Sequence, residues 1–245
     1  MSNGGVLILG ARSDIALAVA HSYAALGHPI QLAARNVQTL QTEKEDLEIR
    51  YQVNVSLHNF DVLDLERHAD VIEGLPELPE IAVCAVGVLG NQESDEKDIL
   101  AAAQIMRANF EGPASILAVL ANRFEQRGSG VLVGISSVAG ERGRATNYIY
   151  GSAKAGFTTY LSGLRNRLAK QGVHVVTVLP GFVDTRMTEG LDLPPKLTAQ
   201  PSEVAAAIVR ATRRQKNTVY VKPLWAFILT AIRLIPESLF KKMNI

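Results

Sequence analysis

The chain has 245 residues, of which 47% are hydrophobic and 20% are charged, a balance typical of a globular protein rather than a disordered chain. Its formal net charge of +1 excludes the broad basic surface of nucleic-acid-binding proteins, so we expect no nucleic-acid partner. A domain of this length buries about three-quarters of its unfolded surface. No linker, repeat or low-complexity tract interrupts the sequence, which predicts one domain over residues 1–245.

Cysteine content and hydropathy set further limits. Cys84 is the only cysteine, so the chain forms no internal disulfide and no cysteine metal cluster, and we expect no bound metal. The N-terminus lacks the basic segment of a secretory signal, and no apolar run reaches the ~18 residues that cross a bilayer. These features predict a cytoplasmic protein.

Short apolar segments alternate with longer amphipathic segments along the whole chain. The apolar segments predict strands over Val6–Leu9, Ile30–Ala34, Val53–Phe60, Ile81–Val86, Val131–Ile135, Val173–Leu179 and Thr218–Val221. The amphipathic segments predict helices over Asp14–Leu26, Val37–Arg50, Asp95–Phe110, Ala114–Arg127, Ala145–Lys170 and Ser202–Gln215, and a further helical stretch contains His68–Ile72. Strands that are apolar on both faces and separated by helices indicate an α/β fold with a Rossmann-type doubly wound parallel sheet.

The turn after the first strand is a candidate phosphate site. A turn from strand to helix aims free backbone N–H groups and the positive helix end at an anion. A carboxylate at this point would be repelled by pyrophosphate, so we expect Asp14 to cap the first helix instead. Such a turn can also simply connect a strand to a helix without binding a ligand. The candidate cofactor residues are Gly10, Arg12, Ser13, Asp14 and Ile15.

The end of the second strand bears on the choice of cofactor. An acidic residue there would bind the adenosine ribose and favour NAD, but the chain has Ala34 and Arg35. The planar guanidinium of Arg35, assisted by Arg12, suits bidentate pairing with a 2′-phosphate. The alternative is that Arg35 is a solvated cation. The pattern favours NADP(H) over NAD(H).

Tyr150, Lys154 and one of two neighbouring serines form a candidate catalytic group. Tyr150 and Lys154 are four apart in a predicted helix and share one face. Because an ammonium one turn away favours the phenolate, we expect Lys154 to lower the pKa of the Tyr150 phenol. Ser136 and Ser137 follow the fifth strand at the edge where open α/β sheets bind ligands. A Tyr-xxx-Lys pair alone is common on protein surfaces, so its value depends on these neighbours.

These motifs together resemble the short-chain dehydrogenase/reductase family over nearly the whole chain. The family's Tyr-xxx-Lys pair falls on Tyr150 and Lys154, whereas Tyr148 has a serine four residues further on. The family spacing selects Ser137 and leaves Ser136 as a packing or hydrogen-bonding neighbour. The family asparagine matches Asn109. The alternative is that Asn109 is a buried residue at a kink in the helix.

The resemblance extends to the remaining cofactor contacts. The segment after the sixth strand resembles the family's nicotinamide-binding segment, and the pair after the third strand resembles its adenine contact. The matching residues are Pro180, Gly181, Val183, Thr185, Asp61, Val62 and Gly87. Two departures qualify the match: Asp14 and Ala16 replace glycines of the phosphate turn, and Cys84-Ala85-Val86-Gly87 replaces the usual Asn-Asn-Ala-Gly. Cys84 is expected to be a small buried hydrophobe rather than a reactive thiol.

The resemblance implies that NADPH reduces a carbonyl group to a secondary alcohol, with Tyr150 donating the proton. Lys154 would hold the nicotinamide ribose, Ser137 the carbonyl oxygen, and Asn109 a water between Lys154 and solvent. An NAD-dependent alcohol dehydrogenase is a second interpretation, and a regulator that senses nucleotides without catalysis is a third. Family members are often homodimers or homotetramers, which we also expect here.

Two segments bear on the substrate. The segment over about 186–200 mixes apolar and polar residues and is expected to form the substrate loop. The tail over about 222–245 is unusually apolar and carries Trp225, Lys241 and Lys242. It suits a helix at the surface of the membrane's inner face, or equally a helix in a subunit contact or over the substrate pocket.

A narrower resemblance favours the membrane. The Ser-Asp-Ile-Ala turn, the Cys-Ala-Val-Gly-Val-Leu-Gly segment and the tail are similar to decaprenylphosphoryl-2-keto-erythro-pentose reductase-like members of the family. Such enzymes act on polyprenyl-phosphate-linked keto-sugars with a flavin oxidase as partner. The resemblance implies a lipid-linked carbonyl substrate as the alternative to a small molecule.

Overall fold

The computed structural model describes residues 4–243. The strands are β1 (Val6–Leu9), β2 (Ile30–Ala34), β3 (Val55–Asn59), β4 (Ile81–Cys84), β5 (Gly130–Ile135), β6 (Val173–Leu179), β7 (Phe182–Val183), β8 (Thr198–Ala199) and β9 (Thr218–Tyr220). The α-helices are α1 (Asp14–Ala24), α2 (Gln41–Tyr51), α3 (His68–Glu73), α4 (Gln92–Asp95), α5 (Ile99–Met106), α6 (Gly112–Arg127), α7 (Tyr148–Leu168), α8 (Pro201–Arg213), α9 (Leu224–Leu234) and α10 (Glu237–Phe240). A π-helical segment, Arg107–Glu111, joins α5 to α6.

The central sheet has seven parallel strands in the order β3-β2-β1-β4-β5-β6-β9. In β1, Leu7 lies opposite Gln31 of β2 on one side and Ala82 of β4 on the other. The chain therefore winds outward in one direction up to β3 and in the other direction from β4. Open α/β sheets bind ligands at such a reversal, outside the carboxyl ends of the strands. The predicted doubly wound α/β fold is confirmed.

The core has one layer on each face of the sheet because successive strand residues point to opposite faces. Val6 and Ile8 of β1 pack in the layer that α1 and α8 cover. Leu7 and Leu9 pack in the layer that α6 and α7 cover. All four side chains are fully buried, which explains why the strand reads as an unbroken apolar run.

The helix boundaries near two prolines differ from the prediction. Pro113 lies in the first turn of α6, and the π-helical segment makes α6 continuous with α5 instead of separating the two helices at residues 111–113. Helix α8 begins at Pro201, one residue before the predicted start at Ser202. Gln200 is the N-cap, and its backbone N donates to the Glu203 carboxylate at 2.8 Å.

The tail folds back onto the body of the protein. Trp225 and Leu229 of α9 are buried in a small cluster with Val138 and Leu179. Arg142 holds the end of α9, because its Nη1 donates to the carbonyl oxygens of Ile232, Arg233 and Ile235 at 2.8–3.0 Å. Its guanidinium also lies 3.9 Å above the centre of the Phe240 ring. Within residues 4–243, no helix combines the length and hydrophobicity needed to cross a bilayer.

Candidate active site

A cleft opens at the carboxyl ends of β1 and β4, where the sheet reverses direction. It consists of cavities of about 1000, 590 and 300 Å³, and Arg12 lines all three. Every predicted site residue except Asn109 lies on their walls. These residues are Gly10, Arg12, Ser13, Asp14, Ile15, Arg35, Asp61, Val62, Gly87, Ser137, Tyr150, Lys154, Pro180, Gly181, Val183 and Thr185.

The turn from β1 to α1 approaches the segment after β4 closely. Gly10 has a φ of +84°, and a Cβ at this position would lie 3.0 Å from the backbone N of Val86. A side chain here would be strained and would crowd Val86. Only glycine lets the two segments form the floor of the cleft together.

Ser13, not Asp14, caps the first helix. Ser13 has the extended backbone of a cap, and its Oγ accepts a hydrogen bond from Ala16 N at 3.1 Å. The predicted capping role of Asp14 was wrong because Asp14 is already the first helical residue. Its carboxylate accepts hydrogen bonds from the backbone N and the Nε of Arg186, each at 2.8 Å.

The smallest cavity lies beyond the end of β2. Arg12, Arg35 and Asp61 line it together with Asn36 and Asn59. Arg35 is exposed, whereas the Asp61 carboxylate accepts a hydrogen bond from Leu63 N at 3.0 Å. This end of the cleft therefore presents two guanidinium groups, which suit a phosphate.

Tyr150, Ser137 and Lys154 meet on the wall of the largest cavity. Burial raises the pKa of Tyr150 to about 12, and a hydrogen bond with Ser137 opposes this increase. The Ser137 Oγ also accepts a hydrogen bond from Ala139 N at 3.1 Å, which fixes the side chain. The phenol is therefore protonated at neutral pH in the protein alone, contrary to the expected lowering of its pKa by Lys154.

Lys154 is almost completely buried, with 3% of its surface exposed. Its Nζ donates to Ile135 O at 3.1 Å and lies 5.7 Å from the centre of the Tyr150 ring. Burial lowers the pKa of Lys154 to about 8. Loss of hydration therefore destabilises the charged form of Lys154, the group that was expected to act on Tyr150.

Asn109 lies behind the cavity wall and is completely buried. Its Nδ2 donates to the carbonyl oxygens of Val88 and Ile105 at 2.7 and 2.9 Å, and its Oδ1 accepts from Val88 N at 3.2 Å. A Cβ at Gly87 would lie 2.9 Å from this Oδ1 and 3.4 Å from Lys154 Nζ. Asn109, which belongs to the π-helical segment, thus holds the segment after β4 beside Lys154.

Ser136 and Cys84 have structural surroundings. Ser136 Oγ donates to Lys154 O at 2.9 Å and pairs with Thr158 Oγ1 at 2.7 Å, as expected of a hydrogen-bonding neighbour. Cys84 is buried in the core, where burial raises its pKa to about 11. The expectation of a small buried hydrophobe is confirmed.

Trp225 forms a part of the site that the motifs did not reveal. A Cβ at Gly181 would overlap the indole, at 1.9 Å from its Nε1, so α9 packs directly on the segment after β6. The indole donates to Leu197 O at 3.1 Å and lines the largest cavity. Of the predicted locations for the tail, the structure therefore shows a helix over the pocket. The apolar tail was visible in the sequence, but its contact with Gly181 depends on the tertiary path.

The sequence as a whole decides the family. A model of the short chain dehydrogenase family matches residues 5–195. The chain belongs to this family. It is therefore an NAD(P)-dependent short-chain dehydrogenase/reductase, as the motifs predicted.

Two relatives of this short-chain dehydrogenase are named as uncharacterized oxidoreductases. An uncharacterized oxidoreductase of Mycobacterium tuberculosis is 39% identical over 243 residues, which cover 97% of this chain and 96% of the relative. Another, from Streptomyces coelicolor, is 33% identical over 241 residues, with coverage of 97% and 95%.

Solved structures show the same fold. A short-chain dehydrogenase from Sphingobium yanoikuyae in complex with NADPH has a TM-score of 0.82 at 24% identity, covering 96% of this chain and 97% of that chain. A short chain dehydrogenase from Burkholderia cenocepacia in complex with NADP has a TM-score of 0.84 at 19% identity, with coverage of 98% and 97%.

The cleft of this short-chain dehydrogenase fits a nicotinamide dinucleotide. Glycines at positions 10 and 87 keep side chains out of its floor, and the phosphate turn meets the N-terminus of α1. Arg12 and Arg35 lie at one end of the cleft, and Tyr150 and Lys154 lie in the cavity at the other. The residues that are present therefore suit the cofactor of the family.

Proposed function

We propose that this short-chain dehydrogenase uses NADPH to reduce a carbonyl group to a secondary alcohol, with Tyr150 as the proton donor. The observation that carries the proposal is the meeting of Tyr150, Ser137 and Lys154 on one wall of the largest cavity. Arg35 and Arg12, and the lack of a carboxylate at the end of β2, support a preference for the 2′-phosphate of NADP(H).

The protonation state of Tyr150 suits the reductive direction. A phenol whose pKa burial raises to about 12 keeps its proton at neutral pH and can donate it to the developing alkoxide. Ser137 is within reach of the phenol and would hold the carbonyl oxygen by a hydrogen bond from its hydroxyl. When bound, the reduced nicotinamide supplies the hydride.

Lys154 and Asn109 act from behind this pair. Buried Lys154 would bind the ribose hydroxyls of the cofactor and favour the phenolate that remains after proton transfer. Both amide hydrogens of Asn109 are used by Val88 and Ile105, so only its Oδ1 could accept from the predicted water. Its principal contribution is to position the backbone at Gly87 and Val88.

Substitution of one hydroxyl tests the proposal. Tyr150→Phe should bind NADPH as the wild type does, measured by fluorescence titration, but lose nearly all reduction of a panel of ketones. Tyr148→Phe is the matched control because Tyr148 is exposed and its hydroxyl faces Glu96 at 3.5 Å. Undiminished turnover in Tyr150→Phe would refute the role of Tyr150.

A second candidate is a reductase for polyprenyl-phosphate-linked keto-sugars at a membrane surface. Its support is the outer face of α9, where Leu224, Phe227 and Leu234 are exposed beside the roof of the pocket. Lys241 and Lys242, which are also exposed, would face anionic lipid headgroups.

Vesicle binding tests this candidate. The wild type should sediment with vesicles that contain anionic lipid, and Phe227→Ser with Leu234→Ser should abolish sedimentation. Ile49→Ser is the control because Ile49 is 79% exposed on α2, away from the tail. Equal sedimentation of all three proteins, or none by the wild type, would refute the membrane contact.

A further inference from the structure

The largest cavity is lined by four cationic side chains: Arg12, Arg144, Lys154 and Arg186. Three of them belong to features already described. Lys154 donates to Ile135 O, Arg186 pairs with Asp14, and Arg12 lies with Arg35 at the adenosine end of the cleft. Arg144 is left without an assigned role.

Arg144 lies in the loop that leads into α7 and is half-buried. Burial holds the pKa of its guanidinium below the usual value, with no opposing contribution from a neighbouring acid. Among residues 4–243, its side chain has no hydrogen bond or ion pair, in contrast to Arg142 two residues earlier. A guanidinium that has lost part of its hydration without gaining a partner is energetically unfavourable unless a ligand pairs with it.

The acidic residues of the same cavity have other partners. Asp95 accepts a hydrogen bond from Asn91 N at 2.7 Å, and Glu93 lies 4.0 Å from Lys97. Glu96 accepts hydrogen bonds from Gln92 and from the Tyr148 hydroxyl. The positive charge of Arg144 is therefore not neutralised by the cavity wall.

Asn147 provides a second polar group in this loop. It precedes α7, but its side chain makes no capping hydrogen bond. Asn147 lines the cavity, and its Oδ1 is buried from solvent and lacks a partner in the described part of the chain. Buried polar atoms of this kind are rare unless water or a ligand satisfies them. One loop thus gives the cavity two lining residues, Arg144 and Asn147, each with a polar group that lacks a partner.

We propose that Arg144 binds an anionic oxygen group, a carboxylate or a phosphate, of the carbonyl substrate. Arg144 is then a specificity-determining residue, and the apolar wall formed by Trp225 and Leu191 receives the rest of the substrate. The inference rests on the proposed reductase function. It adds that the substrate is charged and identifies the residue that selects it.

Matched pairs of ketones test this inference. One arm compares keto acids of increasing chain length with their methyl esters, and the other compares dihydroxyacetone phosphate with dihydroxyacetone. The wild type should show a higher kcat/KM for the charged member of at least one pair. Arg144→Gln should lower that value about tenfold or more, chiefly through KM, since it removes a charge-assisted bond. The neutral member and NADPH affinity should change by less than about twofold.

Two controls separate recognition from structure. Arg144→Lys should recover part of the preference because it restores the charge without the planar fork. Arg214→Gln removes an exposed arginine after α8 and should behave as the wild type. If the wild type turns over both members of every pair without preference, or if Arg144→Gln loses activity equally for the charged and neutral members, the inference is overturned.

A binding measurement separates failure of this inference from failure of the proposed reaction. With NADP⁺ saturating, no reduction occurs, and the charged probes should raise the Tm of the wild type but not that of Arg144→Gln. This result supports the anion site even if no ketone is turned over. Equal stabilisation of both proteins, or none, counts against it. If the wild type turns over no ketone but is still stabilised by the charged probes, only the reductase proposal is refuted.

Discussion

The Asp14 carboxylate binds Arg186 through two hydrogen bonds, and so joins the first turn of α1 to the segment that follows β7. Arg186 also donates to Arg12 O in the phosphate turn. An aspartate that would repel pyrophosphate is thus neutralised by a cation. The contact explains how an aspartate is accommodated at a position where the family usually has glycine.

A double-mutant cycle measures the Asp14–Arg186 interaction. We expect Asp14→Ala and Arg186→Ala to couple by about 0.5–1 kcal/mol in the free energy of unfolding, because the Arg186 side chain is largely exposed to solvent. Asp14→Ala should also accelerate proteolysis within residues 186–200. Strictly additive effects on urea unfolding, with unchanged proteolysis, would show that the pair does not hold the loop.

Cofactor preference depends on Arg35. Arg35→Ala should weaken NADPH binding about tenfold or more and leave NADH binding nearly unchanged, since only NADPH carries the 2′-phosphate. Fluorescence titration with both nucleotides provides the measurement, and Arg214→Ala controls for loss of net charge. If NADPH and NADH weaken equally, Arg35 does not read the phosphate.

We expect buried Lys154 to lower the stability of the protein without cofactor. Its pKa falls from 10.5 in the unfolded chain to about 8 in the folded protein, so the unfolded chain binds more protons between these values. Stability from this group therefore rises as pH increases from about 8 to 10.5. We expect Lys154→Met to be about 2 kcal/mol more stable than the wild type at neutral pH, after allowance for the lost bond to Ile135 O.

Denaturant unfolding at pH 7 and at pH 10 checks this prediction. The advantage of Lys154→Met should shrink at the higher pH, where the lysine is neutral in the folded protein. The same variant should lose ketone reduction. A variant that is less stable than the wild type at pH 7 would show that burial of Lys154 carries no such cost.

Arg142 should determine how firmly the tail is held. Arg142→Ala removes three hydrogen bonds to the end of α9 and the contact with Phe240. Local opening of the tail should become easier by about 1–2 kcal/mol, seen as faster hydrogen exchange over residues 224–240. Arg142→Lys should recover only part of the protection because it lacks the planar fork. Unchanged exchange in both variants would contradict the role of Arg142.

The sequence predicts the elements that local patterns determine. Each central strand is an apolar run because both faces are buried, and Tyr150 and Lys154 share a face because helical spacing requires it. Helix α6 begins at Gly112, two residues before the predicted start at Ala114. Gly112 packs so closely on Val62 that a Cβ would be 2.3 Å from Val62 O, a long-range contact that no local pattern predicts.

Electrostatic and long-range contacts were harder to predict. The effect of burial on the pKa of Tyr150 depends on how the cavity closes, which no spacing reveals. The partner of Asp14 lies 172 residues away, and the partners of Arg142 lie 90 or more residues away. Such pairs follow from the path of the chain through space.

The contact between Trp225 and Gly181 places the indole over the largest cavity. No motif of the family specifies this contact. The family match ends at residue 195, well before Trp225. Two members of the family could therefore have the same tyrosine, lysine and serine, yet enclose differently shaped chambers. We expect selectivity to depend partly on α9, and redesign of that helix would reshape the cavity without altering its chemistry.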